Sequence, residues 1–263
     1  MVSVKILTLE GKKKGTIDLP PIFETPLRKD VIKRAVLAQQ SARYQRQGVD
    51  PMAGKRTTAE SWGVGHGRAR VPRRKGSGYQ SASHGAFAPS TVGGRRTHPP
   101  EAVKNPVEQI NKKERRLAIR SAVAATANSA LVSARGHVFD AIDFPLVAVD
   151  EVQELQSTEE VKEVLENLGV WSDVIRVKNG IKFRGGAPRR RGRKYRKPVG
   201  PLIVISEDKG IRKAARNLPG VKVLYVSKLN AEALAPGTQP GRLTVWTKSA
   251  INVLANGLFG SGQ

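Results

Sequence analysis

Between Arg46 and Asn105 the chain runs for sixty residues with neither helical nor strand periodicity, rich in Gly, Arg, Pro and Ser. A compact domain rarely accommodates a loop of that length unless the loop itself carries function. The segment holds 11 Lys/Arg against 3 Asp/Glu, a net of +8, with no apolar stripe to fold it onto a core. Such a composition is expected to stay disordered until a polyanion supplies the partner charges.

The charge of the whole chain follows the same division. Its formal +24 over 263 residues exceeds what solubility requires and points to a polyanionic partner. From Pro145 onward there are 20 basic and 11 acidic residues, but nine of the basic ones lie in Lys182–Lys197, which has no acid. Without that stretch the C-terminal half balances, 11 against 11. The insertion and this patch together hold 17 of the 24 excess charges. The absence of cysteine excludes disulfides, thiolate metal sites and a cysteine nucleophile. No apolar run approaches the roughly 18–20 residues that span a bilayer, and neither a signal peptide nor a lipidation signal is visible. The expectation is a cytoplasmic protein without membrane or small-molecule partners.

Around the insertion, the hydrophobic pattern is that of an α/β domain. Val2–Leu9 alternates as a strand and returns through Ile17 and Leu19. Thr25-Pro26 predicts the start of a helix reaching about Gln47, and Asn105-Pro106-Val107-Glu108 a longer one reaching about Ala134. In the longer helix Ile110, Leu117, Ala124 and Leu131 would share a face. Strands are then expected at Phe144–Asp150, Pro201–Ser206, Val221–Val226 and Arg242–Trp246. Helices between them carry local start signals: the capping box Ser157-Thr158-Glu159-Glu160, a helix near Lys209–Asn217, Asn230 as a cap, and Thr247 as the cap of the last helix. This alternation implies a single globular α/β domain over 1–263, its mixed or parallel sheet flanked by helices and interrupted by the extended loop 46–105.

Gly63-Val64-Gly65-His66-Gly67-Arg68 invites comparison with phosphate-binding loops, but the flanking strand and helix are missing. Glycine there suits backbone lying close against packed nucleic acid, while arginines and lysines neutralise phosphates. Trp62, Tyr79 and Phe87 could stack on bases or wedge the insertion against its surroundings. His66, His84, His98 and His137 are scattered, and Asp150-Glu151 lacks a second catalytic group, so neither set predicts catalysis or a metal. The candidate RNA-binding residues are Arg43, Arg46, Lys55, Arg56, Trp62, Arg68, Arg70, Arg73, Arg74, Lys75, Arg95, Arg96 and His98. A second basic segment, 182–197, adds Arg184, Arg189, Arg190, Arg191, Arg193, Lys194, Arg196 and Lys197.

Several strings also carry a family resemblance. AESWGVGHGRARVPRR (Ala59–Arg74), GGRRTHPP (Gly93–Pro100), NKKERRLAIRSAVAATAN (Asn111–Asn128), the RRRGRKYRK stretch and APGTQPGRLTVWTKSAI (Ala235–Ile251) resemble large-subunit ribosomal protein four, in its archaeal and eukaryotic form. The long C-terminal extension of eukaryotic members is missing, so the archaeal form is the nearer. The resemblance implies a non-catalytic constituent of the large ribosomal subunit that binds ribosomal RNA early in assembly. Its expected partners are that RNA, neighbouring ribosomal proteins and the nascent polypeptide, with no cofactor beyond Mg2+ belonging to the RNA. Carried over by position, the resemblance places the tip of the extended loop in the exit-tunnel wall, with Gly65, His66, Gly67, Arg68 and Arg70 nearest the tunnel. Two other readings remain at this point, a free regulatory RNA binder and an RNA-modifying enzyme.

Overall fold

Val4 and Ile6, alternating with polar neighbours, form β1 (Ser3–Leu7), which returns antiparallel as β2 (Lys13–Asp18). The computed structural model to which they belong describes residues 3–140 and 143–259; Val2, expected to open the first strand, lies outside the described residues. Four short, mostly apolar runs make the other strands of the main sheet: β3 (Leu146–Ala148), β4 (Leu202–Ile205), β5 (Lys222–Tyr225) and β6 (Thr244–Thr247). The sheet order is β2-β1-β3-β6-β4-β5, and every pairing except β1 with β2 is parallel. The fold is therefore α/β with a mixed sheet, as the alternation of strand and helix signals implied.

The helices are α1 (Lys29–Ser41), α2 (Lys112–Thr126), α3 (Ser129–Ala134), α4 (Thr158–Asn167), α5 (Trp171–Asn179), α6 (Gly186–Arg190), α7 (Ile211–Ala215), α8 (Ala231–Leu234) and α9 (Lys248–Ala255). Successive strand residues point to opposite faces of a sheet, and here they feed two cores. Val147, Val204 and Trp246 pack with Ile32 of α1, Ala122 of α2 and Ile251 of α9. Leu146, Ile203 and Val245 pack with Leu165 of α4, Val174 of α5 and Ile211 of α7. Trp246, fully buried, meets the edge of Phe23 at 5.6 Å between ring centroids.

The chain divides into two units, Met1–Gln40 with Glu108–Gln263, and Ser41–Val107. The first contains the main sheet, both cores and helices α1–α9, save that α1 ends one residue past its boundary.

Local capping chemistry placed several helices where expected. Ser157 and Glu160 complete the capping box of α4, Asn230 accepts from Ala233 N at the start of α8, and Thr247 accepts from Ala250 N at the start of α9. Three expectations are corrected. The first helix begins at Lys29, not beside Thr25, because Ser121 Oγ, from α2, donates to Pro26 O at 3.0 Å, the carbonyl an earlier start would use, and accepts from Arg28 N at 2.8 Å. It stops at Ser41, short of Gln47, where the following residues 42–50 are all exposed and nothing packs to continue it. The long second helix is two: Asn105 Oδ1 does accept from Val107 N, but as an isolated turn, and Asn128 caps a separate α3 through Ala130 N and Leu131 N. The heptad set Ile110, Leu117, Ala124 and Leu131 is only half-buried; the core face is Ala118, Ile119, Ala122, Val123 and Ala125. Helix α5 was not foreseen.

Arg242 ties the sheet to its connections. It is 3% exposed, and among the described residues its guanidinium donates to carbonyls and to no carboxylate. Nε donates to Gly200 O at 2.9 Å, Nη1 to Ala233 O at 2.9 Å and Nη2 to Pro201 O at 3.3 Å. Burial pushes the guanidinium down to about 9, which still leaves it charged at neutral pH. Replacing Arg242 with Met strands these carbonyls in a dry interior at about 1–3 kcal/mol each. The expected result is a loss of about 3 kcal/mol or more, seen as a lower urea midpoint at unchanged slope. Arg242→Lys should recover only part of it, since an ammonium lacks the planar fork.

Candidate nucleic-acid interface

The Ser41–Val107 unit is held by turns and side-chain hydrogen bonds; among the described residues Ala86 is its one buried hydrophobic side chain. Ala59–Glu60 pairs antiparallel with Arg73–Arg74, so the chain between them forms the tip of a hairpin. Ser61 Oγ donates to Arg70 O at 2.9 Å and accepts from Gly63 N at 3.3 Å. Gly63, Gly65 and Gly67 have φ of +79°, +86° and +60°, with open space where a Cβ would stand. That left-handed backbone is cheap only for glycine. Nearer the base, the two limbs close on each other: a Cβ on Gly54 would sit 2.4 Å from the Gly94 carbonyl carbon. This framework is local structure that the hydrophobic pattern of the insertion does not show. Its order comes from turns and guanidinium–carbonyl bonds, neither of which has a hydrophobic period.

The structure sorts the candidate cations into two sets. Arg73 and Arg74 are half-buried and serve the hairpin, Arg73 Nη1 donating to Ser83 O at 2.9 Å and Arg74 Nη1 to Ser81 Oγ at 3.0 Å. Arg56 pairs with Asp50 at 2.7 Å and Lys75 with Glu60, both in solvent. Exposed pairs of this kind contribute about 0–1 kcal/mol, so a phosphate can displace the carboxylate. Arg46, Lys55, Arg70 and Arg96 are exposed, and their side chains donate to no side chain or carbonyl among the described residues. Arg43 is exposed beyond α1.

The aromatic residues are matched with cations. The Arg68 and Arg73 guanidinium groups lie 5.4 and 5.7 Å from the Trp62 ring centroid, and the His66 ring meets Trp62 edge-on at 5.9 Å. Arg95 stands 5.8 Å over Phe87, and Tyr79 donates to Lys75 O. At the base, Arg46, Arg96 and His98 converge on a cleft of 880 Å³ with Tyr44 and Lys104. Val49 N donates to Pro100 O there, joining the limbs. Lys104 and Tyr44 were not singled out in the sequence, because the pairing that brings residues 44–47 to residues 96–104 is long-range.

The second basic segment is also a small hairpin. Lys182 pairs with Arg196 and Phe183 with Tyr195, α6 fills the turn, and Arg184 N donates to Lys194 O at 2.9 Å. Phe183 and Tyr195 lie 4.8 Å apart with Lys194 Nζ over both rings, at 5.5 and 5.6 Å. Arg184, Arg189, Arg190, Arg191, Arg193, Lys194, Arg196 and Lys197 are all exposed, as is Lys182, and none has a carboxylate partner among the described residues. Nine cations held this closely repel one another, and an anion relieves that repulsion.

Elsewhere the ionisable groups serve the fold. Among the described residues no group of three or more His, Asp or Glu could hold a metal. Asp150 Oδ1 accepts from Ser249 N at 2.8 Å, so it caps α9, not a helix of its own. His137 is buried against Asp173, Nδ1 to Oδ2 at 3.0 Å, a carboxylate that lies 36 residues away in sequence. Asp173 Oδ1 accepts from Val138 N and Arg176 Nε, so the cluster is closed on itself. Among the described residues no helix is long and apolar enough to cross a membrane.

Comparison with known proteins adds a family. Residues 17–257 match the model described as Ribosomal protein L4/L1 family. The chain is 51% identical over 257 residues to the "Large ribosomal subunit protein uL4" of Methanosphaera stadtmanae, covering 97% of each chain. It is 49% identical to the protein of that name from Methanopyrus kandleri, covering 95% of this chain and 96% of the relative. The corresponding protein of Saccharolobus islandicus is also 49% identical, with 95% and 92% covered.

The His137–Asp173 pair makes stability depend on pH. Burial holds the imidazole below its ordinary value, against the pull of Asp173. Burial alone would raise the Asp173 carboxyl, but hydrogen bonds from His137 and Arg176 outweigh it and keep the group ionised. The unfolded chain therefore binds a proton on His137 more readily than the folded one. Stability should fall as pH drops below about 6.5, the unperturbed histidine value. His137→Asn should flatten that decline between about pH 6.5 and 5, while costing on the order of 1–3 kcal/mol at neutral pH. Urea midpoints measured across that range check both effects.

Proposed function

This chain belongs to the ribosomal protein L4/L1 family, and on that premise we propose that it binds large-subunit ribosomal RNA early in assembly and helps to line the polypeptide exit tunnel. It is a structural ribosomal protein. The observation that carries the RNA reading is the hairpin Lys182–Lys197: nine exposed cations without a carboxylate partner among the described residues. Bound phosphates replace those missing anions and release condensed counterions, which drives association. Phe183 and Tyr195 brace the strands that present them.

The insertion adds reach. Arg46, Lys55, Arg70 and Arg96 take phosphates directly, whereas Arg73 and Arg74 hold the hairpin in shape with some of their donors and keep others for RNA. The glycines at 63, 65 and 67 let the tip pass through narrow RNA crevices. In this reading Gly65, His66, Gly67, Arg68 and Arg70 face the tunnel, where the nascent polypeptide passes. The protein works in the cytoplasm beside other large-subunit proteins, with Mg2+ present only as part of the RNA.

In cells, nearly all of the protein should sediment with large subunits; a dominant free pool would instead favour a regulatory RNA binder. Changing Arg189, Arg190 and Arg191 together to Ala should weaken binding to large-subunit RNA at least tenfold, about 1.4 kcal/mol. These side chains are exposed, so the melting temperature should hold. A lower melting temperature with unchanged affinity would contradict the assignment.

A further inference from the structure

The balance of 11 basic and 11 acidic residues in the C-terminal half, outside the 182–197 hairpin, conceals a segregation. Eight of the acids fall within Asp150–Asp173, while residues 201–263 carry eight basic against three acidic residues. Folding collects part of that excess at one end of the sheet. Arg212, Lys213 and Arg216, from α7 and its C-terminal end, line a groove of 630 Å³ together with Lys222 on β5. All four are exposed. The one acid lining the groove, Asp208, is already committed: Oδ1 accepts from Gly210 N at 3.1 Å and from Arg212 N at 3.3 Å.

The floor of the groove is a sheet edge. Strand β5 ends the sheet order, and no described strand pairs with its outer side. Lys222 N donates inward to Pro201 O, so the alternation of a parallel ladder turns the backbone groups of Val223 and Tyr225 outward. Edge strands are commonly guarded by a charge on the strand itself. Here three of the four cations come from the neighbouring helix and its end, which guarding does not require.

We propose that this groove is a further RNA-binding site, in which Arg212, Lys213 and Arg216 take backbone phosphates and the β5 edge lies against the sugar-phosphate chain. The inference rests on the RNA reading above and adds a contact surface to it. An acidic peptide added as a strand is the other occupant with matching charge. Strand β5 is only four residues long, so just Val223 and Tyr225 offer outward backbone groups to an added strand, whereas phosphates need nothing beyond the cations.

The test uses the full chain carrying a photocrosslinking p-benzoylphenylalanine at one of two places, Asn217→p-benzoylphenylalanine beside the groove or Tyr195→p-benzoylphenylalanine in the basic hairpin. Each is bound to deproteinised large-subunit ribosomal RNA and, separately, incorporated into large subunits. The expected result is an RNA crosslink from position 217 in both settings that is lost in the Arg212→Ala, Lys213→Ala, Arg216→Ala variant. A crosslink from 195 but none from 217 overturns the groove site and leaves the RNA reading intact, as does a crosslink from 217 only to polypeptide. An RNA crosslink from 217 that survives the triple substitution also overturns it. No RNA crosslink from either position refutes the RNA reading and this inference with it.

Discussion

Like charges held close together are the constraint on which the rest of this protein turns. The insertion and the 182–197 segment hold 17 of the 24 excess positive charges. Internal ion pairs do little to relieve that excess: among the described residues Asp50 and Glu60 are the acids of the insertion that pair with its cations, and the hairpin has no acid at all. The α/β unit answers the constraint by separating tasks. Its two cores are built from neutral side chains on the two faces of the sheet, and its buried charges are satisfied by hydrogen bonds, Arg242 to carbonyls and Asp173 from His137 and Arg176. The exposed cations of the two hairpins are thus presented to a partner, while Arg68 and Lys194 also lie over aromatic rings and Arg56 and Lys75 pair with Asp50 and Glu60.

The two basic hairpins are different solutions to one problem. In each, backbone pairing of only two residues per strand fixes a display of arginine and lysine, and aromatic rings stiffen the display through cation–π contact. The insertion spends some of its own arginines on this. Arg73 and Arg74 sit beside the pairing that closes the tip, and Arg73 also lies over Trp62. The hairpin at 182–197 keeps all its cations outside, because α6 and the Phe183–Tyr195 contact supply its rigidity.

What could be read from the sequence was local chemistry. The box at Ser157, the caps at Asn230 and Thr247 and the apolar runs around Val147 and Val204 need only neighbours within a few residues, and each appeared where its signal lay. Long-range partners were invisible. The start of α1 depends on Ser121, 93 residues from Arg28, and His137 finds Asp173 across 36 residues. The basic surfaces were legible as charge runs, but which arginines face outward was not, since Arg73 and Arg70 look alike in sequence. The groove beside β5 was hidden for a related reason: its cations are spread from 212 to 222 within a half whose net charge is close to zero outside the hairpin.

The central claim is that exposed cations exchanged for RNA counterions, not shape alone, hold this protein on its partner. The most direct measurement is the affinity of the full chain for large-subunit ribosomal RNA between 50 and 200 mM salt. Neutralising about 6–10 phosphates predicts a fall of roughly 10³–10⁵-fold over that range. An affinity that barely changes would contradict the account.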